Sequence, residues 1–452
     1  MKILTTTFYA DFARYFNYLE EEFERRIQDI EFYNISIYPT AHYQWKCYKR
    51  HSILLPSILL KNKYKFSLIP YEYKGVNLEK VINFSYKTQV MFGKDNTTEL
   101  KKQAMRYIDF FDELFKKNKF NLYISSGDSR MLIQIADIFA KRNSVKTYYF
   151  EQGPFGTTIL DEKGVNYNIS FRDRALLKTN IDKERIQTFI HEYYINKPKN
   201  YWTNQKKTFF RRLVNLKNTL WMYPPSLASS FFPIDTQIGI PLWNHLKKDF
   251  TNRLNKNNMY ENSLDSYLPE KYITFIMQMP TDAQLIENSP LYEDFDSMIT
   301  DIYKSLPSGY SLVVREHPGF KGRYSNFLYK FISKNKDIYL RNNISLLETI
   351  KNTELLILNN STVGVEALFY HKTIITLGNA YYNMKDVTYN LKSRKKLKKL
   401  VKYALSNPIK EESIDIFLYN FIFNYLYMGH FRDENLQSAD VIVQDMLESI
   451  SK

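Results

Sequence analysis

The chain has 452 residues and carries 63 Lys and Arg against 48 Asp and Glu, a formal charge of +15, with 44% hydrophobic and 25% charged residues. That balance excludes a disordered or collagen-like chain, and the length predicts two or three domains. The lone cysteine, Cys47, excludes an intrachain disulfide or thiolate metal framework, and the basic excess calls for an anionic partner: nucleic acid, a phosphorylated small molecule or an anionic lipid surface.

In chain order, residues 1–8 (MKILTTTF) read as a buried strand too short in its apolar run for a secretory signal or a membrane span. Residues 12–35 carry apolar and aromatic side chains at helical spacing and predict one long amphipathic helix. From about residue 96 a βα rhythm follows: helix 97–117, strand 120–126, helix 129–143, strand 145–153. Residues of about 170–265 break it with basic, aromatic and proline-rich sequence, including Pro224, Pro225 and Pro233, and are expected to be an insertion leading into a linker. The rhythm resumes with strands near 272, 311, 338, 355 and 373, each followed by a helix-like stretch, before a basic helical tail from about 390. Two mostly parallel α/β halves result. The expected division is 1–245, 246–405 and a C-terminal helical block, 406–452, packing back on the first domain. The architecture is a GT-B-like α/β fold, two doubly wound Rossmann-like domains facing a cleft, with C-terminal helices.

Ligands in such sheets sit outside the carboxyl ends of the strands, so polar clusters placed there carry weight. Five occur. Asn359-Asn360-Ser361-Thr362-Val363-Gly364 runs from a strand into a helix, and two hydroxyls at a helix start suit a phosphate, although Ser361 or Thr362 also suits a plain helix cap. Arg315-Glu316-His317-Pro318 places an imidazole past a β-branched strand, where it could stabilise a leaving phosphate, or simply stabilise a buried turn. Gln278-Met279-Pro280-Thr281-Asp282 offers a carboxylate, or a helix N-cap. Glu151-Gln152-Gly153 offers a general base beside a glycine turn, or a solvated acid. Ser125-Ser126-Gly127-Asp128-Ser129-Arg130 lets a ligand approach the backbone, or is an ordinary βα turn. No GxGxxG, Walker or HExxH motif occurs, and no cluster has metal-ligand spacing. The basic stretches 205–217 and 392–402 suit an anionic membrane surface, with a solvated face as the alternative. Nucleic acid is not expected, for want of any recognisable module.

FEQGPFGTTILDEKGVNYN, FIMQMPTDAQ, VVREHPGF and LNNSTVGVEALFYHKTIITLGNAYYNMKDVT together resemble the bacterial capsule polysaccharide biosynthesis family, which includes retaining β-Kdo transferases of the KpsC and KpsS type. The resemblance covers roughly residues 120–170 and 270–390. It implies a donor activated as a CMP ester, CMP-Kdo or a related CMP-ulosonic acid such as a pseudaminic-type sugar, and no further cofactor. His317, Pro318, Asn360, Ser361, Thr362 and Gly364 would hold the CMP, Asp282 would stabilise or attack the anomeric centre, and Glu151 would act on the acceptor hydroxyl. Gln152, Gly153, Asp128, Arg130, Gln278, Arg315 and Glu316 complete the expected donor and acceptor contacts. The acceptor would be an oligosaccharide or a lipid-linked glycan, in the bacterial cytoplasm at the inner face of the membrane. Gly-Pro-Phe-Gly-Thr after the glutamate and Arg-Glu before His317-Pro318 depart from the family's usual pattern, which leaves the sugar open. A UDP- or GDP-sugar transferase and a non-catalytic export scaffold are the competing expectations.

Overall fold

The computed structural model describes residues 1–54, 68–91, 95–196, 267–280, 282–430 and 438–451, with a few positions between 213 and 220. It divides into two compact units, the first drawn from Met1–Val165 and Leu426–Lys452, the second from Asn166–Ile195 and the described part of Leu246–Tyr425. Most of the expected insertion and the basic stretch 205–217 lie outside the described residues.

The first unit opens with β1 (Lys2–Thr7), α1 (Ala10–Arg26), β2 (Glu31–Ser36), α2 (Pro39–Cys47) and β3 (Ser52–Leu54). The predicted helix 12–35 is therefore two elements. α1 stops at Arg26, Asp29 turns the chain at φ +57°, and the aromatic, β-prone EFYNIS pairs in parallel with β1 from Lys2↔Glu31 to Thr7↔Ser36. A small hairpin, β4 (Glu72–Tyr73) and β5 (Val76–Asn77), precedes α3 (Leu78–Val90) and α4 (Thr97–Lys117). β6 (Leu122–Ser126), α5 (Met131–Arg142), β7 (Lys146–Gln152) and the antiparallel β8 (Thr157–Asp161) follow. The strands lie in the order β3-β2-β1-β6-β7-β8, and the place where the chain reverses its winding falls between β1 and β6.

The second unit contains α6 (Lys183–Asn196), then β9 (Tyr272–Ile276), α7 (Ala283–Asn288), α8 (Phe295–Lys304), β10 (Ser311–Arg315), α9 (Asn326–Lys334), β11 (Ile338–Leu340) and α10 (Leu346–Asn352). β12 (Leu355–Leu358), α11 (Val363–Leu368), β13 (Ile374–Thr376), β14 (Tyr389–Asn390), α12 (Leu397–Ser406) and α13 (Glu411–Asn424) complete it. Its six strands run parallel in the order β11-β10-β9-β12-β13-β14. That is the doubly wound Rossmann order, with its switch point between β9 and β12. YITFI and LLIL are buried at every position, as central strands covered on both faces must be. The α/β class with two doubly wound sheets thus holds, unit by unit.

Two expected boundaries differ. Residues 166–195 join the second unit because Phe171 packs against Phe417, Phe421 and Tyr425, and the Asn420 side chain bonds both the N–H and the carbonyl of Leu177 (3.0 and 2.9 Å). The block 406–452 divides. α13 stays in the second unit, whereas β15 (Tyr427–Met428) pairs antiparallel with β8, and α14 (Ala439–Ser451) buries Ile442, Val443 and Met446 among Phe16, Leu19 and Phe23 of α1.

Candidate functional site

In the second unit, three of the sequence clusters converge on neighbouring strand ends around the switch point. β9 leads to Gln278 and Asp282, β10 to His317, and β12 to Asn360 and Ser361. The Gln278 side chain, buried, accepts from the Asn360 N–H at 3.3 Å and so joins the ends of β9 and β12. Tyr324 joins β9 to β10: its hydroxyl accepts from the His317 N–H (3.2 Å) and donates to the Gln278 carbonyl (2.8 Å).

His317 N-caps a short turn, Pro318–Phe320, and its Nδ1 accepts from the Gly319 N–H at 3.1 Å. In a neutral imidazole the proton must then sit on Nε2, which is left as a donor. Burial pushes the ring below its ordinary pKa, with Asp282 pulling the other way, so near neutral pH His317 is a hydrogen-bond donor more than a cation. Asp282 caps α7 by accepting from the Gln284 N–H at 2.9 Å, the plain role foreseen for it. Burial nevertheless raises its carboxyl above the usual range, opposed by that N–H and by His317. An imidazole and a carboxyl whose environments push them toward neutrality, and which feel each other's field, are the titratable core of the site.

Around this pair the polar residues are mostly engaged in holding loops. Glu316 accepts from the Gly322 N–H (2.9 Å), from Asn342 Nδ2 (2.6 Å) and from the Tyr329 hydroxyl, so its buried carboxylate clamps the His-Pro turn. Arg315 turns to the far side of the strand end: its guanidinium donates to the carbonyls of Arg341 and Ile344 (2.6 Å each) and to the Thr349 hydroxyl (3.0 Å). Asn360 donates to the carbonyls of Gln284 and Asn288, at 2.8 and 3.3 Å, which seats α7. Pro318 is exposed and starts the turn. Ser361 Oγ accepts from the Val363 N–H at 3.3 Å, and Thr362 makes no side-chain cap and stays exposed. Gly364 is where Tyr382 packs: an added Cβ would lie 2.4 Å from the phenol ring, whose hydroxyl donates to the Ser361 carbonyl at 2.6 Å.

The first unit places its clusters at the ends of β6 and β7. The Glu151 carboxylate accepts from the Gln152 N–H at 2.8 Å, and Gln152 is exposed. Gly153 makes the β7–β8 turn possible, since a Cβ there would meet the Thr157 hydroxyl at 2.2 Å. Asp128 accepts from the Val165 N–H (3.0 Å) and the Ser129 hydroxyl (2.9 Å), pinning the chain after β8. Arg130 lies over the rings of Phe84 and Phe8, 4.3 and 5.5 Å from their centroids. Sequence reasoning missed Tyr324, Tyr329, Asn342 and Tyr382, which carry no local motif. Among the described residues no group of three His, Cys, Asp or Glu is placed to hold a metal ion, and no helix is long and apolar enough to cross a membrane.

Residues 246–425 match the family model described as capsule polysaccharide biosynthesis protein, the family already suggested by the motifs around Asp282, His317 and Ser361. The match covers less than half of the chain and coincides with the second unit's sheet. The capsule polysaccharide export protein KpsS of Escherichia coli is 29% identical over 131 residues, 27% of this chain and 33% of that protein. Protein FixF of Sinorhizobium fredii is 28% identical over 165 residues, 34% of this chain and 38% of that protein. The chain thus spans little more than a third of the length of these curated relatives. Among solved structures, the β-Kdo 2,7 transferase of Thermosulfurimonas dismutans KpsC is 14% identical over 75% of this chain and 88% of that one, with a TM-score of 0.37.

Proposed function

We propose that the protein is a glycosyltransferase of capsular or surface polysaccharide biosynthesis that takes an ulosonic acid, Kdo or a nine-carbon relative, from its CMP ester. The observation that carries this reading is the coincidence of the family match with the Asp282–His317 pair at adjacent strand ends on the switch point of a Rossmann-type sheet.

The chemistry suits these groups. A CMP ester leaves as a phosphate monoester anion of low basicity, which needs charge stabilisation more than protonation. The His317 Nε2–H is preset as a donor for it, because Nδ1 is held by Gly319. As the bond to phosphate breaks, positive charge grows at the anomeric carbon, and the Asp282 carboxylate is the second-unit group suited to stabilise it or to attack it. If the carboxylate attacks, the bond to the CMP phosphate breaks, acceptor attack on the glycosyl–Asp282 ester follows with loss of the acceptor's hydroxyl proton, and configuration is retained. The residues now named require no metal for a monophosphate leaving group. The exposed cations of the α12 region, among them Lys395, Lys396, Lys398, Lys399 and Lys402, support work at an anionic inner-membrane face on a lipid-linked or oligosaccharide acceptor.

Purified protein is expected to melt at a higher temperature with CMP than with UDP or GDP, and to yield transfer product by mass spectrometry from CMP-Kdo or a CMP-nonulosonic acid. Protection by UDP or GDP alone would replace the donor. Absence of any nucleotide effect and of any product would leave the export-scaffold reading.

A further inference from the structure

The switch-point edge of the first sheet carries an aromatic shelf, Phe8 and Tyr9, next to Arg130, one of the expected donor or acceptor contacts. Phe8 and Tyr9 follow β1 directly. Tyr9 is 40% exposed, and one face of its ring stacks on the buried Tyr38, with centroids 5.0 Å apart and planes 10° apart. That stacking holds the ring in place while leaving much of it exposed. Phe8 lies 6.2 Å from Tyr9, and the Arg130 guanidinium follows 5.5 Å from Phe8 while resting 4.3 Å above Phe84.

Arg130 is the charged end of this row. Among the described residues no carboxylate pairs with it, and the nearby acid Asp128 is engaged by the Val165 N–H and the Ser129 hydroxyl. Its planar fork matches a carboxylate bidentately, and the contact with Phe84, 4.3 Å from the ring centroid, holds the guanidinium in place. The loop that brings it there is uncovered: Gly127 stands at φ +93° with nothing within 4 Å of where a side chain would begin. An exposed aromatic face suits the C–H face of a pyranose, and an unpaired guanidinium beside it suits a sugar acid.

We propose that this row, Tyr9–Phe8–Arg130, is a binding subsite for an acidic saccharide, with one pyranose on Tyr9 and a uronate or ulosonate carboxylate on Arg130. It deepens the transferase reading, on which it rests, by making the acceptor an anionic glycan. A neutral lipid-linked sugar would leave Arg130 without a role.

The test is titration of the full-length protein with trigalacturonate and with maltotriose, followed by calorimetry or saturation-transfer NMR, with CMP binding measured in parallel. Trigalacturonate should bind better than maltotriose, and its binding should weaken as salt is raised. Tyr9→Ala should weaken binding of both sugars about tenfold, whereas Arg130→Gln should remove the preference for the acid and leave maltotriose unchanged. Arg130→Lys, which keeps the charge and the packing stem, should recover part of that preference and covers the case in which Arg130→Gln fails to fold. The subsite is overturned if the wild type does not prefer the acid, if folded variants bind as wild type does, or if Tyr9→Ala weakens CMP. A chain that binds CMP without preferring the acid loses the subsite and keeps the donor. One that prefers the acid through these residues without binding CMP loses the donor and keeps the subsite.

Discussion

The two sheets share a winding order but finish their carboxyl edges differently. In the second unit, Glu316, Asn360, Gln278 and Tyr324 lock successive strand-end loops to one another, so a small pair, Asp282 and His317, is held within a stiff rim. In the first unit Asp128 and Ser126 also tie strand-end segments, but the edge ends in a partly exposed aromatic row, with Tyr9, Phe8 and Arg130 lying side by side. Topology therefore decides where a ligand goes, and the next layer of hydrogen bonds decides how sharply it is gripped. A clamped rim suits a compact phosphate ester; a partly exposed aromatic edge suits an extended glycan.

The largest effect expected from breaking this contrast is on chemistry. His317→Ala should lower kcat about 10²–10³-fold, the loss expected when the proposed donor to the leaving phosphate is removed. Asp282→Asn should do at least as much, and should also abolish the acid limb of the wild-type pH–rate profile. That limb is expected at a higher pH than an ordinary carboxylate gives, because activity is lost as pH falls through a raised pKa. A wild-type profile flat down to pH 4 would remove Asp282 from the ionised role.

Stiffness itself comes next. Gly364→Ala must displace Tyr382 and is expected to destabilise the protein by about 1–3 kcal/mol, read in a thermal melt. Glu316→Gln leaves three converging donors facing an amide and should cost about 1–3 kcal/mol, with a raised KM for donor if the His-Pro turn loosens. An unchanged melt and KM in both would show that the rim does not depend on these contacts.

A different kind of effect, a dependence of stability on pH, is expected in the first unit. Glu20 is buried on α1 beside Arg50, 3.3 Å away, and burial outweighs that cation to push its pKa from 4.5 to about 8. Between those values the native state holds a proton that the unfolded chain has released, so this group's contribution to stability falls as pH rises across the window. Glu20→Gln should flatten the stability–pH curve from pH 4.5 to 8; a curve that keeps its slope refutes the assignment.

Much of this was legible in the sequence, for reasons visible in particular residues. YITFI and LLIL declare themselves because a strand covered on both faces has no polar positions, and the polar residues after them fall where parallel strands end. β2 was hidden because Phe32 and Ile35 also continue the helical spacing of α1, and only the turn at Asp29 separates the two. At the site, the identities of Asp282 and His317 could be read, but the engagements of their neighbours could not. Arg315 finds its acceptors 26 to 34 residues away, and Asn360 meets Gln278 across 82. Tyr324 is one of 37 tyrosines until the fold places it between two loops.

The strand Tyr427–Met428 and α14 are made after the whole second unit, yet they complete the first. On the ribosome, residues 1–165 therefore wait with the edge of β8 unpaired and the apolar side of α1 uncovered until the far half of the chain has emerged. Maturation of the first unit is tied in time to synthesis of the second. A nascent chain stalled short of residue 426 would be the species most in need of a chaperone.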